Sequence, residues 1–133
     1  MHTGGCLCGA IRYRIEGPLA PIQLCHCGQC RKAQGGPFAS NIPVSADSFE
    51  MLQGGAQLSA YESSPGKRRW FCGDCGSPLY SESDAIPGVL RLRAGTLDSP
   101  VESRPASHAY VASKADWWTI NDELPQHPGA RPG

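Results

Sequence analysis

The sequence predicts a mainly β fold with few short helices, and two observations support that prediction. Several short runs alternate between apolar and polar side chains, which is the period of a half-buried strand. Turn-forming residues separate these runs, since 16 of the 133 residues are glycine and 12 are proline. No strand–helix–strand rhythm repeats along the chain, so parallel βαβ units are not expected.

The predicted strands follow one another between turn signals. Residues 10–16 (AIRYRIE) alternate apolar and charged side chains and stop at Gly17-Pro18. Residues 89–94 (VLRLRA) alternate in the same way, with leucines on one side and arginines on the other. The remaining predicted strands are residues 38–44, 49–53, 58–62, 67–71 and 78–81. Pro43 breaks the first of these, and a turn at residues 63–66 joins strand 58–62 to strand 67–71.

Helical signals are few. The best predicted helix is one or two turns over residues 29–34, bounded by Gly35-Gly36. A second short piece is expected at residues 45–48, where Ser45 can cap it, and a third at residues 115–120. Residues 126–133 (QHPGARPG) combine proline and glycine with no apolar anchor, which predicts a disordered tail.

Charge and hydropathy exclude several classes of protein. Lys and Arg number 12 against 12 Asp and Glu, so the net charge is zero, which disfavours a generally basic nucleic-acid-binding domain. No apolar run approaches the roughly 20 residues of a membrane-spanning helix. The first residues (MHTGG) show neither the basic nor the apolar region of a signal peptide. We therefore expect a cytoplasmic protein with no nucleic-acid or membrane partner.

The seven cysteines are the most informative feature of the composition. An odd number cannot pair completely within one chain, and a reducing compartment disfavours disulfides. Clustered cysteines in such a compartment indicate metal binding or thiol chemistry. They form three groups: Cys6 and Cys8 (CxC), then Cys25, Cys27 and Cys30 (CxCxxC), then Cys72 and Cys75 (CxxC).

The spacing of these groups predicts two zinc sites. The two outer pairs, Cys6 and Cys8 with Cys72 and Cys75, supply the four thiolates of a closed structural site, whose binding free energy adds to folding. The central group supplies only three ligands, which leaves a fourth position open to water or substrate, as in catalytic zinc sites. Its members are the candidate catalytic residues: Cys25, Cys27 and Cys30.

Other interpretations of the same cysteines stay open on the sequence. The outer pairs can be buried cysteines without metal. The central group can be a second structural zinc site in a binding module without catalysis. It can also be a redox dithiol of Cys27 and Cys30, which predicts a thiol redox sensor built on the Cys25, Cys27 and Cys30 cluster.

A few other residues are candidates for supporting roles. His26 lies between two predicted ligands and is expected at the surface or just behind the site, and His108 is expected to be a hydrogen-bonded structural histidine. At least one ring of Trp117-Trp118 is expected in the core. Three residues that follow the central cysteines are candidates for lining their cleft: Phe38, Ser40 and Asn41.

Three segments together are typical of one family. They are residues 5–9 (GCLCG), 25–32 (CHCGQCRK) and 71–79 (FCGDCGSPL), and GTLD at 95–98, His108, Trp117 and Leu124-Pro125 follow in order. With this set the chain resembles the glutathione-dependent formaldehyde-activating enzyme (GFA) family, which includes centromere protein V. The resemblance covers residues 3–125 and so implies a single GFA-like zinc domain there.

The resemblance also implies a fold and an activity. The fold is a β-tent of small antiparallel sheets held by a structural zinc on four cysteines, with a second zinc on three cysteines as the active site. The activity is condensation of glutathione with formaldehyde to S-hydroxymethylglutathione, which is classed with carbon–sulfur lyases. A small-molecule thiol, glutathione, is therefore the expected partner, with activation of its thiol as the expected mechanism. No oligomeric state follows from the sequence.

Overall fold

A computed structural model describes residues 1–130 of the chain, and within them the fold is mainly β, as predicted. One α-helix, α1 at Gly28–Gln34, and four short 3₁₀ turns interrupt the strands. The ten strands of the described residues are β1 His2–Gly5, β2 Arg12–Ile15, β3 Ile22–Cys25, β4 Ala39–Ser45, β5 Phe49–Gln53, β6 Leu58–Ser64, β7 Lys67–Cys72, β8 Pro78–Ser83, β9 Val89–Arg93 and β10 Pro105–Ala109.

The strands form two sheets. A three-stranded antiparallel sheet has the order β1-β2-β5, and a seven-stranded sheet has the order β10-β3-β4-β9-β8-β7-β6. Every pairing in the larger sheet is antiparallel except that of β10 with β3, which is parallel. This one parallel pairing lies at the edge of an otherwise antiparallel sheet, where 79 residues separate the end of β3 at Cys25 from the start of β10 at Pro105.

The hydrophobic core lies between the two sheets. Alternate side chains of the larger sheet point to this core, and the three-stranded sheet adds its own apolar side chains to the same cluster. The buried members are Ile11, Tyr13, Ile15, Ile22, Leu24, Ile42, Val44, Leu79 and Leu92, with Cys6 and Cys72. The alternation VLRLR of β9 thus places its leucines in the core, as predicted.

The opposite face of the seven-stranded sheet is polar and largely buried. Two rows of side chains cross it in register, because directly paired residues project to the same face. One row is Arg69, Ser81, Arg91 and Pro43. The next row is Arg93, Asn41, Gln23 and Ser107. The second alternating set of β9, its arginines, is therefore covered rather than left in water.

Several elements differ from the sequence-based predictions. Strands β1, β3 and β10 were not predicted, and residues 115–120 form a turn rather than a helix, while a 3₁₀ turn occurs earlier at Val111–Ser113. Pro43 does not break β4, because β3 pairs only with residues 39–41 and β9 alone continues along the strand past that point. The helix predicted at residues 29–34 and the Ser45 cap are both confirmed.

The segment expected to be a disordered tail, residues 126–133, is hydrogen-bonded in its described part. Gln126 bridges to His108, and the amides of Tyr110 and Val111 donate to the carbonyls of Gly129 and His127 at 2.9 and 3.0 Å. These bonds hold the chain alongside β10 and the residues that follow it, up to Gly129. Residues 131–133 lie outside the described part of the chain.

Across residues 1–130, no helix combines the length and the apolar character needed to cross a membrane.

Candidate metal centres and the adjoining pocket

The first candidate metal centre joins both sheets. Cys6 and Cys8 belong to the loop after β1, while Cys72 ends β7 and Cys75 lies in the turn before β8. Their sulfur atoms all lie within 4.8 Å of one another. The Sγ atoms of Cys6 and Cys8 are 3.6 Å apart, and those of Cys8 and Cys72 are 3.8 Å apart. A tetrahedral zinc with bonds of about 2.3 Å requires sulfurs about 3.8 Å apart, so this cluster fits zinc.

Backbone geometry at both pairs supports this arrangement. Gly9 and Gly76 follow the two cysteine pairs and have φ values of +82° and +79°, which only glycine adopts without strain. The Gly76 amide donates to the Cys72 carbonyl at 2.7 Å and closes the turn around the second pair. The side chain and backbone of Ser77 hydrogen-bond the Cys75 sulfur and lower the pKa of that thiol to about 5. The thiolate, which is the form that binds metal, is thereby favoured.

The second candidate centre is built on α1 and the strand before it. Cys25 ends β3, Cys27 is the N-cap of α1, and Cys30 lies buried in its first turn. The Cys27 sulfur accepts the backbone N–H of Cys30 at 3.3 Å, so the helix start and the cysteine spacing depend on each other. The three sulfurs lie within 4.8 Å of one another. Hydrogen bonds from the other two thiols hold the pKa of Cys27 well below its usual range.

Basic side chains from the sheet surround this three-cysteine cluster. The guanidinium nitrogens of Arg69 lie 3.7 and 3.8 Å from the Cys30 sulfur, and the same group donates to Ser63 and Gln29. Arg93 is buried and donates to the side-chain oxygen of Asn41. Burial, with the positive charge of Arg69 nearby, lowers the pKa of Lys67.

A cavity of about 390 Å³ opens onto the three-cysteine cluster. Its volume is at the lower end of the range for small-molecule sites. Cys25 and Cys30 line it together with the polar face of the sheet and with Ala130 at the end of the described chain. The lining residues are Gln23, Cys25, Cys30, Asn41, Pro43, Lys67, Ser81, Ile86, Arg91, Ala109, Tyr110 and Ala130. Of the three residues proposed for the cleft, Asn41 is among them, and Phe38 and Ser40 are not.

His26 is buried next to the three-cysteine cluster, so of the two positions expected for it the surface is excluded. Its side chain is fully buried, and its Nε2 lies 2.8 Å from Nδ1 of His108, whose Nε2 lies 3.0 Å from a carboxylate oxygen of Asp122. The Asp122 carboxylate accepts the proton on His108 Nε2, so His108 Nδ1 accepts from His26. His108 is thus a hydrogen-bonded structural histidine, as predicted. His26 is held by β10 rather than lying at the surface, because β10 pairs in parallel beside β3.

The tryptophan pair does not enter the core. Trp117 is 65% exposed and Trp118 is 36% exposed, so the prediction that one ring is buried is wrong. Trp118 instead packs edge-on against Phe38 with ring centroids 5.8 Å apart, and Phe38 packs against His26 at 5.3 Å. Phe38 therefore separates the indole of Trp118 from the buried His26 ring, and Trp117 packs on Trp118.

The grouping of the seven cysteines into four and three was predictable from the sequence, but two other groups of residues were not. No sequence pattern singled out Asp122, because its hydrogen-bond partner His108 lies in a strand that was not predicted. Arg91 and Arg93 were recognised only as the polar side of an alternating strand. Their relation to Cys25 and Cys30 depends on the register of three further strands, which no local pattern contains.

Comparisons with known proteins agree with this arrangement. A family model described as "Glutathione-dependent formaldehyde-activating enzyme" matches residues 1–113. A Halomonas elongata protein, whose name provisionally describes a glutathione-dependent formaldehyde-activating enzyme, is 34% identical over 126 residues, covering 88% of this chain and 79% of the relative. An uncharacterized lyase of Schizosaccharomyces pombe is 33% identical over 81 residues, covering 59% of this chain and 56% of the relative.

The fold also has a counterpart among solved structures. A Rhodobacter sphaeroides protein known from its crystal structure superimposes with a TM-score of 0.64, covering 78% of this chain and 99% of that chain. The two sequences are 21% identical, so the likeness concerns the fold alone.

Proposed function

The chain belongs to the glutathione-dependent formaldehyde-activating enzyme family, and on this premise we propose that it is a zinc-dependent enzyme of the carbon–sulfur lyase type. The proposed reaction is addition of the glutathione thiol to formaldehyde to give S-hydroxymethylglutathione, and its reversal. The observation that supports it is a three-cysteine cluster that opens into a cavity of small-molecule size. A cluster of three thiolates leaves one coordination position for a substrate.

The two cysteine clusters have different proposed roles. Cys6, Cys8, Cys72 and Cys75 hold a structural zinc, and Cys25, Cys27 and Cys30 hold a second one at the cavity. When bound at the second cluster, zinc supplies a Lewis acid that lowers the pKa of a substrate thiol.

The reaction itself needs little catalytic assistance from the protein. The thiol sulfur forms a bond to the formaldehyde carbon while the carbonyl oxygen gains a proton and the sulfur loses one. Thiols and formaldehyde combine without a catalyst, so holding them together in a small cavity is a sufficient source of rate. Cys30 is kept in place by Arg69 and by the helix that Cys27 caps.

The first experiment is the zinc content of the full chain purified without chelator. Two zinc ions per chain are expected, and Cys6→Ser and Cys27→Ser are each expected to lose one. Adduct formation from glutathione and formaldehyde, followed by NMR exchange, is then measured on the same three proteins. A folded Cys27→Ser protein that keeps the wild-type exchange rate would contradict the proposal.

A thiol redox sensor is the second candidate. The mutual proximity of three sulfurs on Cys25, Cys27 and Cys30 favours it, because a disulfide needs little backbone movement there. It predicts that mild peroxide removes two free thiols and releases one zinc ion, reversibly on reduction. An unchanged thiol count after such treatment would dispose of this candidate.

A further inference from the structure

Four basic side chains converge on the polar face of the seven-stranded sheet without acidic partners. Among the described residues, no carboxylate lies within 4.0 Å of the charged groups of Lys67, Arg69, Arg91 or Arg93. Arg68, the neighbour of two of them on β7, faces the other way and pairs with both Glu82 and Asp84. The lack of partners is therefore particular to this face of the sheet.

The cysteines offset this charge only in part. Four cations and three thiolates leave an excess of one positive charge, and a bound Zn²⁺ would raise that excess to three. Arg69 and Arg93 are buried, and Lys67 and Arg91 are half-buried, so water screens these charges less than at an open surface. Buried charges of one sign are stable when a counter-ion joins them.

The two half-buried cations lie in the same cavity as the cysteines. Lys67 and Arg91 line it together with Cys25 and Cys30. Asn41 lies between them and the cysteines on the sheet, and its side-chain oxygen accepts from Arg93, which leaves its amide nitrogen as a donor. A single small cavity therefore presents both sulfur ligands and hydrogen-bond donors with positive charge.

We propose that the cavity is an anion-recognition site, in which a carboxylate of the thiol substrate binds Lys67 and Arg91 while its sulfur lies at the three-cysteine cluster. The sulfur end rests on the proposed function, and the anion end does not. Arg91 offers the planar fork that matches a carboxylate, and Lys67 adds a point charge. The site selects acidic thiols over neutral or basic thiols of the same length.

The test compares three short thiols on the zinc-loaded full chain by titration calorimetry. They are 3-mercaptopropionate, 3-mercapto-1-propanol and 2-aminoethanethiol, which differ chiefly in charge. The acid is expected to bind about tenfold to hundredfold more tightly than the alcohol, because a hydrogen bond to a charged group is worth that much. The preference is expected to shrink as salt is added.

Variants assign the preference to the proposed residues. Arg91→Gln and Lys67→Gln are expected to reduce the preference for the acid at least tenfold. Arg14→Gln is the matched control, because Arg14 is also a strand arginine but pairs with Glu16 and Glu50 on the smaller sheet. Should a pocket variant fail to fold, thiol-free propionate is titrated into the wild type, where it is expected to compete with the mercapto acid while ethylamine does not.

The outcomes separate the two proposals. Equal binding of all three thiols, or no competition by propionate, overturns the anion site and leaves the proposed function standing. Preference for the acid that is lost in Arg91→Gln supports the site. Tight binding of the acid without any adduct formation from glutathione and formaldehyde supports the anion site and contradicts the proposed function.

Discussion

Two adjacent arginines on β7 have different environments because they lie on opposite faces of the strand. Arg68 and Arg69 are neighbours in sequence, yet Arg68 pairs with two carboxylates, one on β8 and one directly after it. Arg69 is buried against the Cys30 sulfur on the opposite face. The same side-chain chemistry therefore serves as a solvent-screened ion pair at one position and as a support for a cysteine sulfur at the next.

The first residue-scale prediction concerns Arg69. Arg69→Gln is expected to weaken zinc binding at the three-cysteine cluster by about tenfold to hundredfold, the usual effect of losing a residue that supports a metal ligand. The measurement is zinc transfer to a chelating dye. Arg68→Gln is the control and is expected to leave that affinity unchanged; an equal loss in both variants would contradict a direct role for Arg69.

The second residue-scale prediction concerns Tyr13. Burial raises the pKa of Tyr13 to about 12, and its hydroxyl hydrogen-bonds Thr96 at 2.6 Å. The unfolded chain ionises near pH 10 and the folded one near 12, so the contribution of Tyr13 to stability is intact below pH 10. It is lost between pH 10 and 12. In urea titrations Tyr13→Phe is expected to lose less stability over this interval than the wild type; parallel curves would disprove the assignment.

At the scale of elements, helix α1 and the three-cysteine cluster depend on each other. A helix of seven residues is too short to be stable alone. It is held by the Cys27 cap, by the left-handed Gly35 at its end and by the burial of Cys30. The cluster in turn owes its compact geometry to the helical turn between Cys27 and Cys30.

The element-scale prediction compares the two clusters. The four-cysteine cluster joins the loop after β1 to the β7–β8 turn, whereas the three-cysteine cluster lies within one local segment. Cys72→Ser is therefore expected to lower the thermal midpoint more than Cys27→Ser, because the first ion ties distant parts of the chain. Midpoints are measured with and without chelator. A larger loss in Cys27→Ser would contradict the structural role of the four-cysteine site.

Elements with an alternating pattern were predictable, and elements without one were not. β5 and β9 were located because their patterns or flanking turns are local. β10 (PASHA) has no apolar alternation, since its buried Ser107 and His108 depend on neighbours distant in sequence. β1 (HTGG) contains two glycines, and Gly4 is needed because a Cβ there would collide with the Thr96 carbonyl and the Tyr13 ring.

At the scale of the whole molecule, one core supports both metal clusters. Ile42 is fully buried in β4, between the two sheets and directly beneath the polar face. Ile42→Ala is expected to cost about 2–5 kcal/mol of unfolding free energy, as for other large-to-small core changes. Urea unfolding followed by both tryptophan fluorescence and far-UV circular dichroism is expected to give one coincident transition. Separate transitions would show that the sheets unfold independently.

Only part of the candidate site was predictable from the sequence. The part that was not predictable depends on contacts across the whole molecule. Cysteine spacing is local, so the division into four and three could be deduced from the chain alone. The positive charge around Cys30 was not deducible, because Arg69 and Arg91 meet only through Ser81 and the register of β7, β8 and β9. Long-range register decides which face an arginine occupies and what lies above it.

The parallel pairing of β3 with β10 also has a consequence during synthesis of the chain, because β3 is made before its partner strand. As the chain leaves the ribosome, Cys25, Cys27 and Cys30 emerge before the strand that pairs with β3, which begins only at Pro105, and the segment hydrogen-bonded along that strand extends to Gly129. Non-local contacts of this kind form slowly. The three thiols consequently stay accessible while the 79 residues between β3 and β10 are synthesised, and the nascent chain can acquire metal, or suffer oxidation, before the pocket closes around them.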